Sequence, residues 1–150
     1  GHVRMIETVA AANPNTVVVL CCGSVVETPW ADKVKAILYM GLPGQAGGAA
    51  AADLLYGRVN PSGKLAETWP LRYSDCPTYD CYRERKNAQY REGVYVGYRY
   101  YDKAGVPVRW PFGFGLSYTT FQLFQFESGR DYSKTPPLQT NGKRAGAEIV

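Results

Sequence analysis

The sequence predicts an α/β protein built on a parallel sheet, with the pattern of half a doubly wound domain. Two observations carry this. The stretches Thr16 to Cys22 and Val34 to Met40 are continuous apolar runs of the kind that form strands covered on both faces. Each is flanked by a segment with helical periodicity, and such alternation places consecutive strands in parallel.

Taken in order, Val3, Ile6 and Ala10 mark one face of a short helix that stops near "ANPN", where Pro14 blocks continuation. Thr16 to Cys22 is the first strand. Pro29-Trp30-Ala31-Asp32 opens a brief helical turn, and Val34 to Met40 is the second strand. In "GLPGQAGGAAAADLLYG", Gly47, Ala50, Ala51, Leu54 and Leu55 recur at helical spacing, so Gln45 to Tyr56 reads as a helix ended by Gly57. Its Gly- and Ala-rich first half lets the backbone lie close to a neighbour. Fully burying Val17 to Leu20 is worth about 6–12 kcal/mol, comparable to the ~5–15 kcal/mol net stability of a whole domain. Two strands cannot cover their own faces, so further layers are expected beside them.

From "NPSGKLAETWP" to "YREG" the chain reads as irregular, punctuated by Pro61, Gly63, Pro70 and Pro77. "GVYVGYRYYDKAG" fits either a short strand or a helical turn. "FQLFQFES" reads as a strand, "SKTPPLQTNGKRAG" as a linker with a turn at Asn141-Gly142, and "AEIV" as the start of a strand. Between these regions lies "WPFGFGLSYTTF", dense in rings and glycine.

Composition narrows the function. The chain has 150 residues, 45% hydrophobic, with 17 basic and 13 acidic residues giving a net charge of +4. The basic runs Arg83-Glu84-Arg85-Lys86 and Lys143-Arg144 read as solvated surface, since a polyanion footprint clusters on one face. No apolar run reaches the ~18 residues of a membrane span. Cys21 and Cys22 sit in "TVVVLCC" and read as buried thiols, which favours a reducing, cytoplasmic compartment. A disulfide between Cys76 and Cys81 would require an oxidising one. Their spacing is not a zinc or redox motif, and His2 is the lone histidine, so no metal is expected.

Several motifs fail on spacing. Gly41, Gly44 and Gly47 do not make G-x-G-x-x-G, and Pro43 removes a backbone donor. "GRVNPSGKL" has Leu65 where a magnesium-binding Ser or Thr belongs. "VYVGYR" and "FGFGLSY" echo the paired strands of an RNA-recognition domain, but too few residues separate them for the intervening helix and strand. No nucleotide cofactor and no nucleic-acid partner is therefore expected. A Ser-His-Asp arrangement cannot be built around His2, and no nucleophile elbow is present. Among the acids, Asp53 sits in a helix interior and reads as structural. Glu92, in "YREGVY", is the one weak catalytic candidate, placed where a loop could approach a cleft.

The segments "NPNTVVVLCCGSVVETPWADKVKAILYMGLPGQAGGAAAADLLYGRVNPSGKLAETWP" and "YREGVYVGYRYYDKAGVPVRWPFGFGLSYTTF", in that order, resemble the later part of glycoside hydrolase family 3, the β-glucosidase-like enzymes. The likeness covers roughly residues 2 to 121. "TNGKRAGAEIV" resembles the start of the fibronectin type III-like domain that follows in many members, with the stretch from Phe126 to Thr140 shorter than usual. Ala46 stands where the family usually carries Glu, and Cys21-Cys22 where Asn-Ala-like residues are common.

The resemblance implies a TIM-like barrel, then an α/β sandwich with a mostly parallel sheet, then a β-sandwich. Residues 1–121 would be the second half of the α/β sandwich, and residues 122–150 a linker and the truncated start of the last domain. It further implies retaining hydrolysis of non-reducing-end glycosidic bonds, with an aspartate nucleophile on the barrel and a glutamate acid/base on the sandwich. Both would lie upstream of "NPNTVVVL", so neither transfers to a residue here, and this chain alone is expected to be inactive. The loops Gly41–Gly48 and Tyr90–Gly97 would lie nearest the barrel. "WPFGFGLSYTTF" reads as a packing and docking segment, with Trp110 and Tyr118 as weak candidates for stacking on sugar. The implied partners are a carbohydrate substrate and the missing barrel and sandwich half. The competing reading is a non-catalytic carbohydrate- or protein-binding module.

Overall fold

The computed structural model describes residues 1–84 and 86–120. Helix α1 (His2–Ala12) leads into strand β1 (Val17–Leu20), and a 3-10 turn at Ala31–Lys33 precedes strand β2 (Ala36–Tyr39). Helix α2 (Gly47–Leu55) follows, then the short strand β3 (Trp69–Pro70) and a 3-10 turn at Tyr73–Asp75. Helix α3 (Tyr98–Ala104) and strand β4 (Val108–Trp110) complete the described elements. The strand expected in "FQLFQFES", the turn at Asn141-Gly142 and the strand in "AEIV" lie outside the described residues.

The parallel pair is as the sequence predicts. β1 and β2 align Val17 with Ala36 through Leu20 with Tyr39. The ladder continues past both ends, where the Lys35 N–H donates to the Thr16 carbonyl at 2.8 Å and that of Met40 to Leu20 at 3.0 Å. Both strands are shorter than their apolar runs. Only β2 is covered on both faces, with Ala36, Ile37 and Leu38 all buried. β1 departs from expectation: Val17 and Val19 remain 41% exposed, because the described residues place no layer over that face.

The helix ends follow local chemistry. α1 stops where Asn13 turns extended, its side chain accepting the Asn15 N–H at 2.9 Å ahead of Pro14. α2 closes in a Schellman motif: Gly57 adopts φ 71°, its N–H donates to Leu54, and the Arg58 N–H reaches back to Asp53 at 2.8 Å. The expected apolar face of α2 is only partly buried. Gly47 is covered by Pro43, against which an added Cβ would lie at 2.7 Å, while Ala50 and Leu55 stay exposed. The ambiguous "GVYVGYRYYDKAG" resolves as helix α3, entered at Gly97 (φ 58°) and left at Gly105 (φ 64°).

The stretch read as irregular contains an antiparallel pair. β3 and β4 match Trp69 to Trp110 and Pro70 to Val108, with an irregularity between Trp69 and Pro70. The chain beyond β4 then runs back along the segment before β3. Phe112 N–H donates to the buried Thr68 Oγ1 at 3.2 Å, and Leu65 exchanges backbone bonds with Gly113 and Phe114, each 2.8 Å. Further along, Ser117 Oγ donates to the Pro61 carbonyl at 2.6 Å and the Tyr118 N–H to Asn60 Oδ1 at 2.8 Å.

Trp69 joins this pair to the parallel sheet. It is 1% exposed and packs edge-on against Tyr39 at the end of β2 and against Trp110 on β4, both at 5.3 Å between ring centres. Arg109 adds a polar tie from β4 to Asp32 in the first 3-10 turn, at 2.8 and 3.0 Å to the two carboxylate oxygens. Replacing Trp69 by alanine should lower stability by about 3–5 kcal/mol, the usual cost of emptying a buried aromatic site. Urea unfolding followed by far-UV circular dichroism measures it.

The glycines of "WPFGFGLSYTTF" have separate reasons. Gly113 takes φ 80°, and Gly115 lies so close to the Gly63 carbonyl that a methyl group there would collide with backbone. Gly115→Ala is expected to force the two segments apart and cost about 1–3 kcal/mol. The same unfolding experiment reads this as a lower urea midpoint.

Candidate functional site

A cleft of about 550 Å³ opens beyond the carboxyl end of β1. Ligands of parallel α/β sheets bind at that end of the strands, because the loops there are free to vary without disturbing the ladder. One wall is the loop Ser24 to Glu27. The floor comes from Glu67, Thr68 and Pro70 around β3, and the far wall from Glu92 and from Val96 to Arg99 at the start of α3. Phe112 closes the rim. Its volume falls within the ~300–1,000 Å³ of small-molecule sites.

The walls are held by long-range bonds. Glu27 Oε1 accepts the Tyr73 N–H at 2.6 Å, tying the β1 loop to the second 3-10 turn. Phe112 stacks on Tyr98 at 5.1 Å with an interplanar angle of 25°, and the Arg99 guanidinium lies 5.3 Å from the Tyr98 ring centre. These aromatics differ from the pair singled out from sequence. Trp110 packs on Trp69 in the β3–β4 seam, and the Tyr118 hydroxyl donates to the Leu54 carbonyl at 2.7 Å, securing the end of α2. Neither lines the cleft. Glu92 does, half-buried, on a wall shared with a smaller pocket of about 260 Å³.

Sequence reasoning passed over Glu67, Arg99, Tyr98 and Phe112 as site residues. The signal available was the pair of glycines, Gly97 and Gly113, that set the backbone beside Tyr98 and Phe112 in left-handed conformations.

The thiols also differ from expectation. Cys21 is exposed and Cys22 half-buried, since β1 ends before them; burial raises the Cys22 thiol above its usual range. Cys76 and Cys81 are both free thiols. Cys76 lies on the cleft wall and receives the Tyr101 hydroxyl at 3.8 Å.

Tyr101 is buried beneath this wall, and burial first, then its contact with Cys76, raises its phenol well above the ordinary tyrosine value. The folded chain thus keeps a proton that the unfolded chain loses above about pH 10. Tyr101's contribution to stability is full below that pH and is lost as pH climbs from there towards the folded value. Stability measured in urea should fall with pH over that range, and Tyr101→Phe should flatten the slope.

The sequence and the α/β framework have counterparts among known proteins. The glycosyl hydrolase family 3 C-terminal domain matches residues 1–98, and the chain belongs to this family. It is 48% identical over 155 residues to thermostable beta-glucosidase B of Acetivibrio thermocellus, covering 98% of the chain and 20% of that protein. It is 46% identical over 163 residues to a probable beta-glucosidase I of Aspergillus oryzae, covering the whole chain and 19% of that protein. Among solved structures, the family 3 beta-glucosidase of Bifidobacterium adolescentis superposes with a TM-score of 0.74 at 52% identity, over 79% of the chain and 18% of that structure. The beta-glucosidase of Kluyveromyces marxianus in complex with glucose gives a TM-score of 0.78 at 43% identity, over 81% and 15%. The chain spans about a fifth of the length of the curated relatives it matches.

Proposed function

We propose that this chain is the C-terminal portion of a β-glucosidase that cleaves non-reducing-end glycosidic bonds by a retaining mechanism, and that it carries no turnover of its own. The observation that carries the reading is the match of 98% of the chain, at 48% identity, to a β-glucosidase of which it spans a fifth. The open face of β1, with Val17 and Val19 exposed, supports it by offering a surface on which further layers of the sandwich would pack. Residues 1–121 form the later half of that sandwich domain, and residues 122–150 lead into a fibronectin type III-like domain.

Retention requires a nucleophile and an acid/base about 5–5.5 Å apart across the scissile bond. Three carboxylates line the cleft, Glu27, Glu67 and Glu92, of which Glu27 accepts a backbone N–H, and the family resemblance assigns the reacting pair to none of them. Both reacting carboxylates therefore belong to the remainder of the enzyme. This chain's part is to build a wall of the cleft and hold it rigid.

The test is an exchange of segments. The 150-residue chain alone should give no turnover of an aryl β-glucoside. Grafted in place of the matching fifth of the Acetivibrio thermocellus enzyme, it should restore turnover to within about tenfold of the parent. Turnover by the isolated chain that Glu92→Gln abolishes would overturn the proposal, as would a folded but inactive graft.

A further inference from the structure

The chain leaves the described fold beside the closing turn of α2. Tyr118 is fastened there twice, its N–H donating to Asn60 Oδ1 at 2.8 Å and its hydroxyl to the Leu54 carbonyl at 2.7 Å. Thr119 follows, its Oγ1 accepting from Asn60 Nδ2 at 3.2 Å. Position 121 comes two residues after Thr119, so it lies within about 7 Å of it even on a fully extended chain.

That turn presents apolar surface. Leu55 is 43% exposed, Tyr56 80% and Val59 52%, and Val59 directly precedes Asn60. The N–H groups of Arg58 and Val59 both reach back to the Asp53 carbonyl, which keeps Val59 at the helix end. The cation beside the patch is already engaged: Arg58 pairs with Asp53 at 3.1 Å, its guanidinium 5.9 Å from the Tyr56 ring centre. The turn therefore offers a ring and aliphatic groups to an uncharged, apolar partner. Single exposed apolar side chains are ordinary on a surface, whereas several gathered at one place mark an interaction site.

The stretch "FQLFQF", residues 121–126, has that chemistry, with four apolar side chains among six and no charge. It also has the advantage of position. A segment joined by so short a tether is present at the patch at an effective concentration of millimolar order. A second copy of the chain at micromolar concentration competes poorly against it.

We propose that residues 121–126 dock on the turn that closes α2, with Tyr56 as the main contact and Leu55 and Val59 beside it. The bonds of Asn60 with Tyr118 and Thr119 aim the chain at this surface. Residues 127–150 are then joined to the α/β part through a seated connection and not a free tether. The inference is independent of the β-glucosidase reading, because it uses only this chain's own bonds and exposures.

Photo-cross-linking on the full 150-residue chain tests it. With p-benzoylphenylalanine in place of Tyr56, irradiation at low micromolar protein should join position 56 to residues 121–126 of the same chain, as mapped by peptide mass spectrometry. The same probe in place of Leu42, exposed ahead of the opposite end of α2, should not reach them. Equal labelling from both positions would overturn the docking. So would cross-links from position 56 that join two chains, fall only elsewhere in the chain, or fail to form in a folded protein.

A double-mutant cycle in urea supplies the second reading without the bulky probe. Phe121→Ser with Phe124→Ser should lower the folding equilibrium constant by a factor about fivefold smaller when Tyr56→Ser is also present. Strictly additive effects would contradict contact between the segment and the turn.

Discussion

Trp69 holds together two parts of the chain that have no reason to meet on local grounds. The parallel strands β1 and β2 form around their own apolar runs, and the antiparallel strands β3 and β4 are too short to stand alone. The indole between Tyr39 and Trp110 buries both contacts in one place, and the edge-on geometry of each pair fixes how the two strand pairs are oriented. Among the described residues its Nε1 has no hydrogen-bond partner, so the aromatic packing outweighs a cost of about 1–3 kcal/mol for an unpaired buried donor. The cleft depends on this seam. Thr68 and Pro70 flank Trp69 in the floor, and Phe112 lies two residues beyond Trp110 on the rim.

Glycine solves the remaining geometric problem. The segments 60–69 and 110–119 approach so closely where Gly115 meets the Gly63 carbonyl that Gly115 has no room for a side chain, and the backbone bonds of Leu65 with Gly113 and Phe114 form beside this crossing. The aromatic- and glycine-rich stretch "WPFGFGLSYTTF" is thus read position by position. Trp110 belongs to the seam, Phe112 to the cleft, Gly115 to the close crossing, and Tyr118 to the end of α2.

How much of this is visible in the sequence follows from where the information resides. The runs around Val17 and Ile37 announce strands because every residue in them favours a covered sheet, and Gly57 announces a helix end because only the left-handed turn uses it so well. β3 is invisible: two residues, one of them Pro70, carry no periodicity, and their partner lies about forty residues away. The exposure of β1 is not legible in its sequence, since an apolar run reports what a strand is suited to touch and not whether this chain supplies it. Glu92 stood out as an acid in a glycine-flanked loop, and it does line the cleft. Phe112 and Tyr98 did not stand out, because a ring on a rim and a ring in a core are written with the same letter.

The claim that the Trp69 seam unites the two halves is tested most directly by amide hydrogen exchange on the intact chain. If it is correct, Leu65 and Gly113, which bond across the crossing, open with the same free energy as Ile37 and Leu38 in β2, as members of one cooperative unit. If Leu65 and Gly113 exchange hundreds of times faster than β2, a gap above about 3 kcal/mol, the strand pairs open independently and the account fails.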